Sequence, residues 1–436
     1  MNLKLAKMRI CILTYRGNMY CGGQGVYVYY LSKYLARLGH EVELIQGPPY
    51  TWEVPWCREH RLVNYNLFAT KKFFYKNFSA RSELFQLFKP EHFYEFITTR
   101  FGFFPEMLTF SFKAWTKLCQ LWKQKPFDVI HDNQTLGFGM LLIQRTFPAP
   151  LITTIHHPLS EDQKADFQQL PEFNHRLRRA VYYPLLMHQL VVPRLECLVS
   201  VSQTAAKSVA KAYGIDEKRV RVVYNGVDTE LFKPNPQVKR KKNQLVFVGN
   251  TEDRKKGIRY LLEAMLYLPK NVRLLVVDGG APRHIVMEEL MRRFNLAGRV
   301  RTTGKIPTEE VVRAYQESEI AVVPSVYEGF GFPAAEAMAC ATPVVATDGG
   351  ALPEVVGKNG EAGLIVPKQD ARALAKAIKL LLDNPHLRCQ IAEKARKRIL
   401  EKFSWEVSAR KMLELYQEMI ERKNGKSQRG KTFKFI

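Results

Sequence analysis

The chain has 436 residues, enough for two or three domains of ordinary size. Its 46% hydrophobic and 25% charged residues match soluble globular usage and exclude disordered, collagen-like and coiled-coil chains. With 66 Lys and Arg against 42 Asp and Glu, the net charge of +24 favours an anionic partner: phosphorylated substrate, nucleic acid or an acidic membrane face.

Residues 8–14 read as a short apolar strand, followed by a glycine-containing loop and a periodic segment. Tyr27, Leu31, Tyr34, Leu35 and Leu38 recur at helical spacing, and Gly39 stops the helix. Residues 41–45 then read as a second strand, which starts a doubly wound α/β sheet. Residues 52–125 break the pattern. They hold 20 of the chain's 50 aromatic residues among twelve Lys or Arg, and read as an insertion into the first α/β domain. Strands resume at 129–131, 151–155, 198–201 and 220–224. The longest apolar candidate for a membrane span, 181–201, is broken by Pro184, Pro193, Arg194 and Glu196, so no spanning helix is expected.

The run 234–242, two prolines followed by four cations, reads as a solvated linker at a domain boundary. A second series follows: strands at 245–249, 272–277, 300–303 and 320–324, with helices near 257–268, 284–296 and 308–316. Pro333 sits where a further helix can begin, because its missing N–H costs nothing in a first turn. Domains are therefore expected at 1–235, with the insertion 52–125, and at 236–402. A final helix at 403–436, with a basic tail, is expected to return to the first domain. Seven scattered cysteines without a CxxC pair read as reduced thiols in the cytoplasm. The N-terminus lacks a small-residue cleavage site and reads as a leader into the first strand.

The most specific chemistry lies in Glu328-Gly-Phe-Gly-Phe-Pro-Ala-Ala-Glu336. Two carboxylates straddle a strand–loop–helix junction, at the edge where open α/β sheets bind ligands. Gly329 and Gly331 admit a ligand close to the backbone, and the free N–H groups of the next helix can hold an anion. Carboxylates accept hydrogen bonds from the hydroxyls of a sugar or a ribose. Taken alone, both glutamates could equally be surface or capping residues.

The run PSVYEGFGFPAAEAMACATPVVATDGGALPEVV at 324–356 closely resembles the retaining nucleotide-sugar glycosyltransferases of family 4. CGGQGVYVYYLSKYLARLGHEV at 21–42, VVYNGVDTELFKP at 222–234 and DRKKG at 253–257 agree in order and spacing; 52–125 has no recognised counterpart. The resemblance implies the GT-B fold, two Rossmann-like doubly wound α/β domains facing a central cleft. It implies that Glu336 holds the donor ribose and that Glu328 lies against the transferred sugar. The Phe330–Gly331 amides would reach sugar and phosphates, and Arg254 and Lys256 would clamp the diphosphate. Ile306, in the 304–307 segment, would meet the base through its backbone. The family carries an arginine directly after the strand glycine, where this chain has Asn250, and its glycine–aspartate–glycine turn is altered here to Asp278-Gly279-Gly280.

His156 follows the strand LITTI, where the family carries a histidine at the reaction centre; His157 is the alternative. Gly22, Gly23 and Gly25 form the implied acceptor and phosphate loop, whose GGQG pattern argues against a nicotinamide fingerprint. No two of the eleven aspartates stand at i and i+2, and the ten histidines show no H-E-x-x-H, so no metal and no cofactor are expected. A retaining glycosidase would need a second acid opposite Glu328, and none is evident. The expected activity is transfer of a sugar from a nucleotide-diphosphate sugar to a glycan or lipid-linked acceptor. An epimerase or phosphorylase of the same architecture is the alternative. A nucleic-acid partner is disfavoured because the motifs converge on a small-molecule site. The aromatic and basic pairs of 52–125 suggest peripheral contact with an anionic membrane on its inner face.

Overall fold

The computed structural model describes residues 6–19, 23–64, 90–100, 105–160, 184–279, 285–358 and 360–432. The chain divides into two compact units. The first comprises residues 1–201, 206–223 and 409–436; the second comprises 202–205 and 224–408. The units part at Val223/Tyr224, ahead of the proline and cation run.

The first unit is built on a seven-stranded sheet: β1 (Arg9–Thr14), β2 (Glu41–Gln46), β3 (Arg58–Arg61), β4 (Val129–Asn133), β5 (Leu151–Ile155), β6 (Cys197–Ser200) and β7 (Val220–Val222). Its order is β3-β2-β1-β4-β5-β6-β7, and every described pairing is parallel. β1 is buried at all six positions, as a central strand covered on both faces must be. Chain direction reverses its march across the sheet between β1 and β4, and such switch points open a crevice at the carboxyl ends of the strands.

The reading of 52–125 as an insertion needs correction. β3 lies inside it and extends the sheet, pairing Glu43 with Arg58 through Gln46 with Arg61. The helix Glu106–Gln124 also lies inside it and covers the sheet as the crossover into β4, burying Met107, Phe110, Ala114, Leu118 and Leu121 in the core. Residues 65–89 and 101–104, which carry most of the aromatic–cation pairs, fall outside the described residues.

The second unit has a six-stranded sheet: β8 (Lys241–Val248), β9 (Arg273–Val277), β10 (Val300–Thr302), β11 (Ser318–Val323), β12 (Val344–Thr347) and β13 (Leu364–Val366). The order β10-β9-β8-β11-β12-β13 is again doubly wound and parallel, with its switch point between β8 and β11. Core residues such as Leu245, Phe247, Leu261, Val276, Val322 and Ile378 interlock between strands and helices. The expected solvated linker also changes character: β8 begins at Lys241, and Arg240 is a structural clamp. Its guanidinium donates to the carbonyls of Ser318 and Ala341 and to Thr342 Oγ1.

Candidate active site

In the second unit the residues expected at the donor site gather where β8 and β11 end. After β8 a short turn at Arg254–Lys256 presents three cations. Gly257 follows at φ +68°, and a Cβ there would stand 2.0 Å from the Pro324 carbonyl oxygen, so only glycine lets this turn close onto the end of β11. Val326 N donates to the Lys255 carbonyl at 2.7 Å and fastens the two loops. Lys256 Nζ thereby reaches Glu328 Oε1 at 2.8 Å, and Ser325 Oγ donates to the same oxygen at 2.8 Å. Burial lowers the affinity of the Lys256 ammonium for its proton, but the Glu328 carboxylate outweighs this and holds its pKa above the usual value.

Arg254, the other expected clamp residue, is exposed; its carbonyl accepts from Gly257 N at 3.2 Å, and its guanidinium forms no hydrogen bond among the described residues. Gly331 caps the helix Phe332–Ala339 at φ +100°, with Pro333 in its first turn as expected. The Phe330 ring is buried against Phe332 and Phe403, which leaves its backbone as the part able to meet a ligand. Glu336 projects from this helix and accepts a 3.2 Å hydrogen bond from Tyr315 Oη. Burial pushes its carboxyl up to about 7, against the opposing effects of Tyr315 and Lys256. Thr251 donates to the Asp278 carboxylate, tying the turn after β8 to the end of β9. Ile306 follows β10 and is partly buried.

In the first unit, buried polar groups gather at the carboxyl ends of β1, β4 and β5. His156 is 5% exposed, and its Nε2 lies 2.7 Å from Asn133 Oδ1. Asn133 Nδ2 donates to Thr14 Oγ1 and the Gln24 carbonyl, so Oδ1 is its accepting end. His156 therefore carries its proton on Nε2 and presents Nδ1 as an acceptor. Burial, then the charges of His157 and His131, push its pKa down to about 3, so the ring is neutral. Gln134 grips the adjacent backbone, accepting from His156 N at 2.7 Å and donating to the His157 carbonyl at 2.8 Å. Gln134 and Leu136 hold left-handed φ values of 56° and 53°, the sort of strain that collects at functional sites. Asp132 lies beneath, its carboxyl pushed up by burial to about 7.

The Tyr27 ring packs edge-on against His156, with centroids 4.9 Å apart, and its hydroxyl lies 3.1 Å from Thr154 Oγ1. Thr154 in turn meets His131 Nε2 at 2.8 Å, and His131 Nδ1 pairs with the Tyr416 hydroxyl. Gly23 caps the helix Gln24–Arg37, and Gly25 is taken up by packing: a Cβ there would lie 2.4 Å from the Asn18 carbonyl oxygen. Gly22 lies outside the described residues. Among the described residues no group of three His, Cys, Asp or Glu could hold a metal ion, and no helix is long and apolar enough to cross a membrane.

Sequence reasoning missed Ser325, Tyr315, Asn133, Gln134 and Tyr27. Asn133 and Gln134 could have been found as a polar run, HDNQT, that closes an otherwise apolar strand. Tyr315 had no local signal, since it looks like any apolar helix position.

Comparison with known proteins bears on the family and the fold. The family described as "Glycosyl transferases group 1" matches residues 228–398, and "Glycosyltransferase Family 4" matches 21–231. The MMP alpha-(1->4)-mannosyltransferase of Mycolicibacterium hassiacum is 34% identical over 418 residues, covering 95% of this chain and 99% of that protein. Among solved structures, sucrose-phosphate synthase from Thermosynechococcus elongatus is 25% identical with TM-score 0.70, covering 95% of this chain and 100% of that one. Anabaena HepE, solved in complex with UDP-glucose, shares the fold at TM-score 0.67 and 17% identity, over 94% of this chain and 100% of its own. With both units matched and a relative aligned along almost its whole length, the chain belongs to the group 1 glycosyltransferases of family 4 and is a glycosyltransferase of the GT-B fold.

Proposed function

We propose that the protein transfers a hexose from a nucleotide-diphosphate sugar to a hydroxyl of a glycan or lipid-linked acceptor, with retained anomeric configuration and without a metal ion. The observation that carries this reading is the Lys256–Glu328–Ser325 cluster at the switch point of the second unit. Glu336, eight residues on, would accept the ribose hydroxyls. Lys256 and the exposed Arg254 supply fixed positive charge for the leaving diphosphate, the task a divalent cation performs elsewhere. The Phe330 and Gly331 amides would contact sugar and phosphate, and the Ile306 backbone the base.

The Glu328 oxygen nearest the cluster already accepts from both an ammonium and a hydroxyl. A carboxylate so engaged is a weak nucleophile, which supports electrostatic stabilisation of the sugar over covalent attack. In the corresponding step the bond from the anomeric carbon to the diphosphate oxygen breaks. The acceptor oxygen bonds to the same face of that carbon, and its proton passes to the departing phosphate oxygen. Neutral His156 offers Nδ1 to a hydroxyl and carries no charge into the reaction.

The name of the 34% relative supports a mannosyl group as the first sugar to test, and the HepE complex supports a uridine diphosphate carrier. A thermal-shift screen of nucleotide sugars, followed by transfer assays with and without acceptor, tests the reading. A donor at about 100 times its dissociation constant adds about 2.7 kcal/mol of stability. Turnover that needs no acceptor would instead mark an epimerase. Flotation on anionic and neutral liposomes, at low and high salt, tests the lipid-linked acceptor and the membrane contact. Failure to float on anionic vesicles at low salt would direct the search to soluble glycans.

A further inference from the structure

The hydrogen bonds that lead to His156 run in one direction, and that direction is set two residues away from the ring. In the loop after β1 the Arg16 carbonyl accepts from Thr14 Oγ1 at 2.7 Å. A carbonyl oxygen has no hydrogen to give, so the Thr14 hydroxyl commits its own there, and its oxygen is left to accept. Asn133 Nδ2 donates to that oxygen at 3.1 Å and to the Gln24 carbonyl at 3.3 Å. Turning the amide over would set its oxygen against the Gln24 carbonyl. Oδ1 therefore faces His156 and only accepts, and the ring nitrogen 2.7 Å away must hold the hydrogen.

Thr14, Asn133 and Gln134 are fully buried, so water cannot replace any bond that is broken in this chain. Asn133 joins three pieces of the first unit: the end of β1, the first residue of the helix after Gly23, and the ring that follows β5. Gln134 fixes the backbone beside that ring in the same one-way manner, because the His156 amide only donates and the His157 carbonyl only accepts. The titratable groups around the ring are Tyr27, which packs against it, and His131 and His157, whose charges would oppose its own. Asp132 points to the opposite face of β4. The partner of Nε2 is thus a neutral amide, which takes no proton from the ring, where a carboxylate would stabilise an imidazolium.

We propose that Asn133, itself held by Thr14 and the Gln24 carbonyl, is a positioning residue for sugar transfer: it locks His156 in the Nε2–H tautomer, so that Nδ1 recognises a substrate hydroxyl only as a hydrogen-bond donor. The inference rests on the functional reading above for the place of His156 beside the substrates. It gives the ring a role in orienting a hydroxyl and none in moving a proton.

The experiment is long-range proton–nitrogen NMR on the full chain labelled at histidine, with the His156 signals identified by their loss in His156→Gln. In the unsubstituted protein without ligand, Nε2 is expected to be protonated and Nδ1 bare at about pH 7. Asn133→Leu keeps most of the amide's volume and removes the acceptor. It is expected to bring up both tautomers and to lower kcat/KM for transfer at least tenfold. Asn133→Asp is expected to give an imidazolium signal as pH falls through about 6.5, with transfer, relative to the unsubstituted protein, declining along the same titration. Circular dichroism confirms that each variant is folded, and the tautomer of the unsubstituted protein needs no variant at Asn133. A proton on Nδ1 there, both tautomers in comparable amounts there, or a tautomer and pH profile indifferent to both Asn133 substitutions would each overturn the proposal. Failure of the functional reading shows elsewhere, as absence of sugar transfer by the unsubstituted protein.

Discussion

Replacing Lys256 by Met keeps most of the side-chain volume and removes the charge that faces Glu328. The pair is 2.8 Å apart, with side-chain exposures of 25% and 9%. At an effective dielectric of about 20, the attraction at that separation is roughly 6 kcal/mol, offset in large part by the cost of taking both ions out of water. Breaking a fully buried pair costs about 3–5 kcal/mol, and the partial exposure of Lys256 reduces the expected loss to about 2–3 kcal/mol. Glu328 would then keep only Ser325. Donor affinity should fall as well, by about 10- to 150-fold, if the ammonium makes one charge-assisted hydrogen bond of roughly 1.5–3 kcal/mol to the diphosphate. The assay is a double-mutant cycle of Lys256→Met and Glu328→Gln, read by thermal unfolding and by calorimetric donor binding. The double variant should be more stable than the two single losses imply, with a coupling of at least about 1 kcal/mol. Strict additivity, together with unchanged donor affinity in Lys256→Met, would refute the argument that this pair organises the site.

Glu336, with its carboxyl near 7 in the free protein, is expected to bind donor better as pH rises through about 7, because only the ionised form accepts from both ribose hydroxyls. Glu336→Gln should flatten that dependence; the same inflection in the variant would assign it elsewhere. The first unit should be acid-labile above the usual carboxylate range. Burial depresses His131 and His156 to about 3 and His188 to about 4, so unfolded histidines take up protons below about 6.5 while the folded ones do not. Asp132, raised to about 7, opposes one of the three, leaving a loss of roughly 3 kcal/mol per pH unit from about 6 to 4. Denaturant midpoints that stay level over that range would contradict the burial of these rings. Sugar transfer should persist in EDTA, and a rate lost on chelation and restored by Mg²⁺ or Mn²⁺ would overturn the metal-free mechanism.

Much of this protein was legible from local pattern. Apolar runs bounded by glycine and proline marked most strands of both sheets, because a parallel strand buried on both faces must be apolar throughout. Glu328 and Glu336 could be placed on a strand–loop–helix junction for the same reason: the turn glycines and Pro333 act within a few residues of themselves. β3 escaped notice because Arg-Glu-His-Arg is a charged edge strand with no apolar signature, and its pairing with β2 supplies the evidence. The preference for Lys256 over Arg254 was equally hidden. It depends on Gly257 meeting the Pro324 carbonyl, a contact between loops that belong to β8 and β11. Arg240 looked like one more solvated cation until its partners, 78 and 101 residues away, were in place. Periodicity reports which face of an element is apolar, whereas strand order and register decide which faces and loop ends meet. The Tyr315–Glu336 bond and the shared oxygen of Glu328 are products of that second step alone.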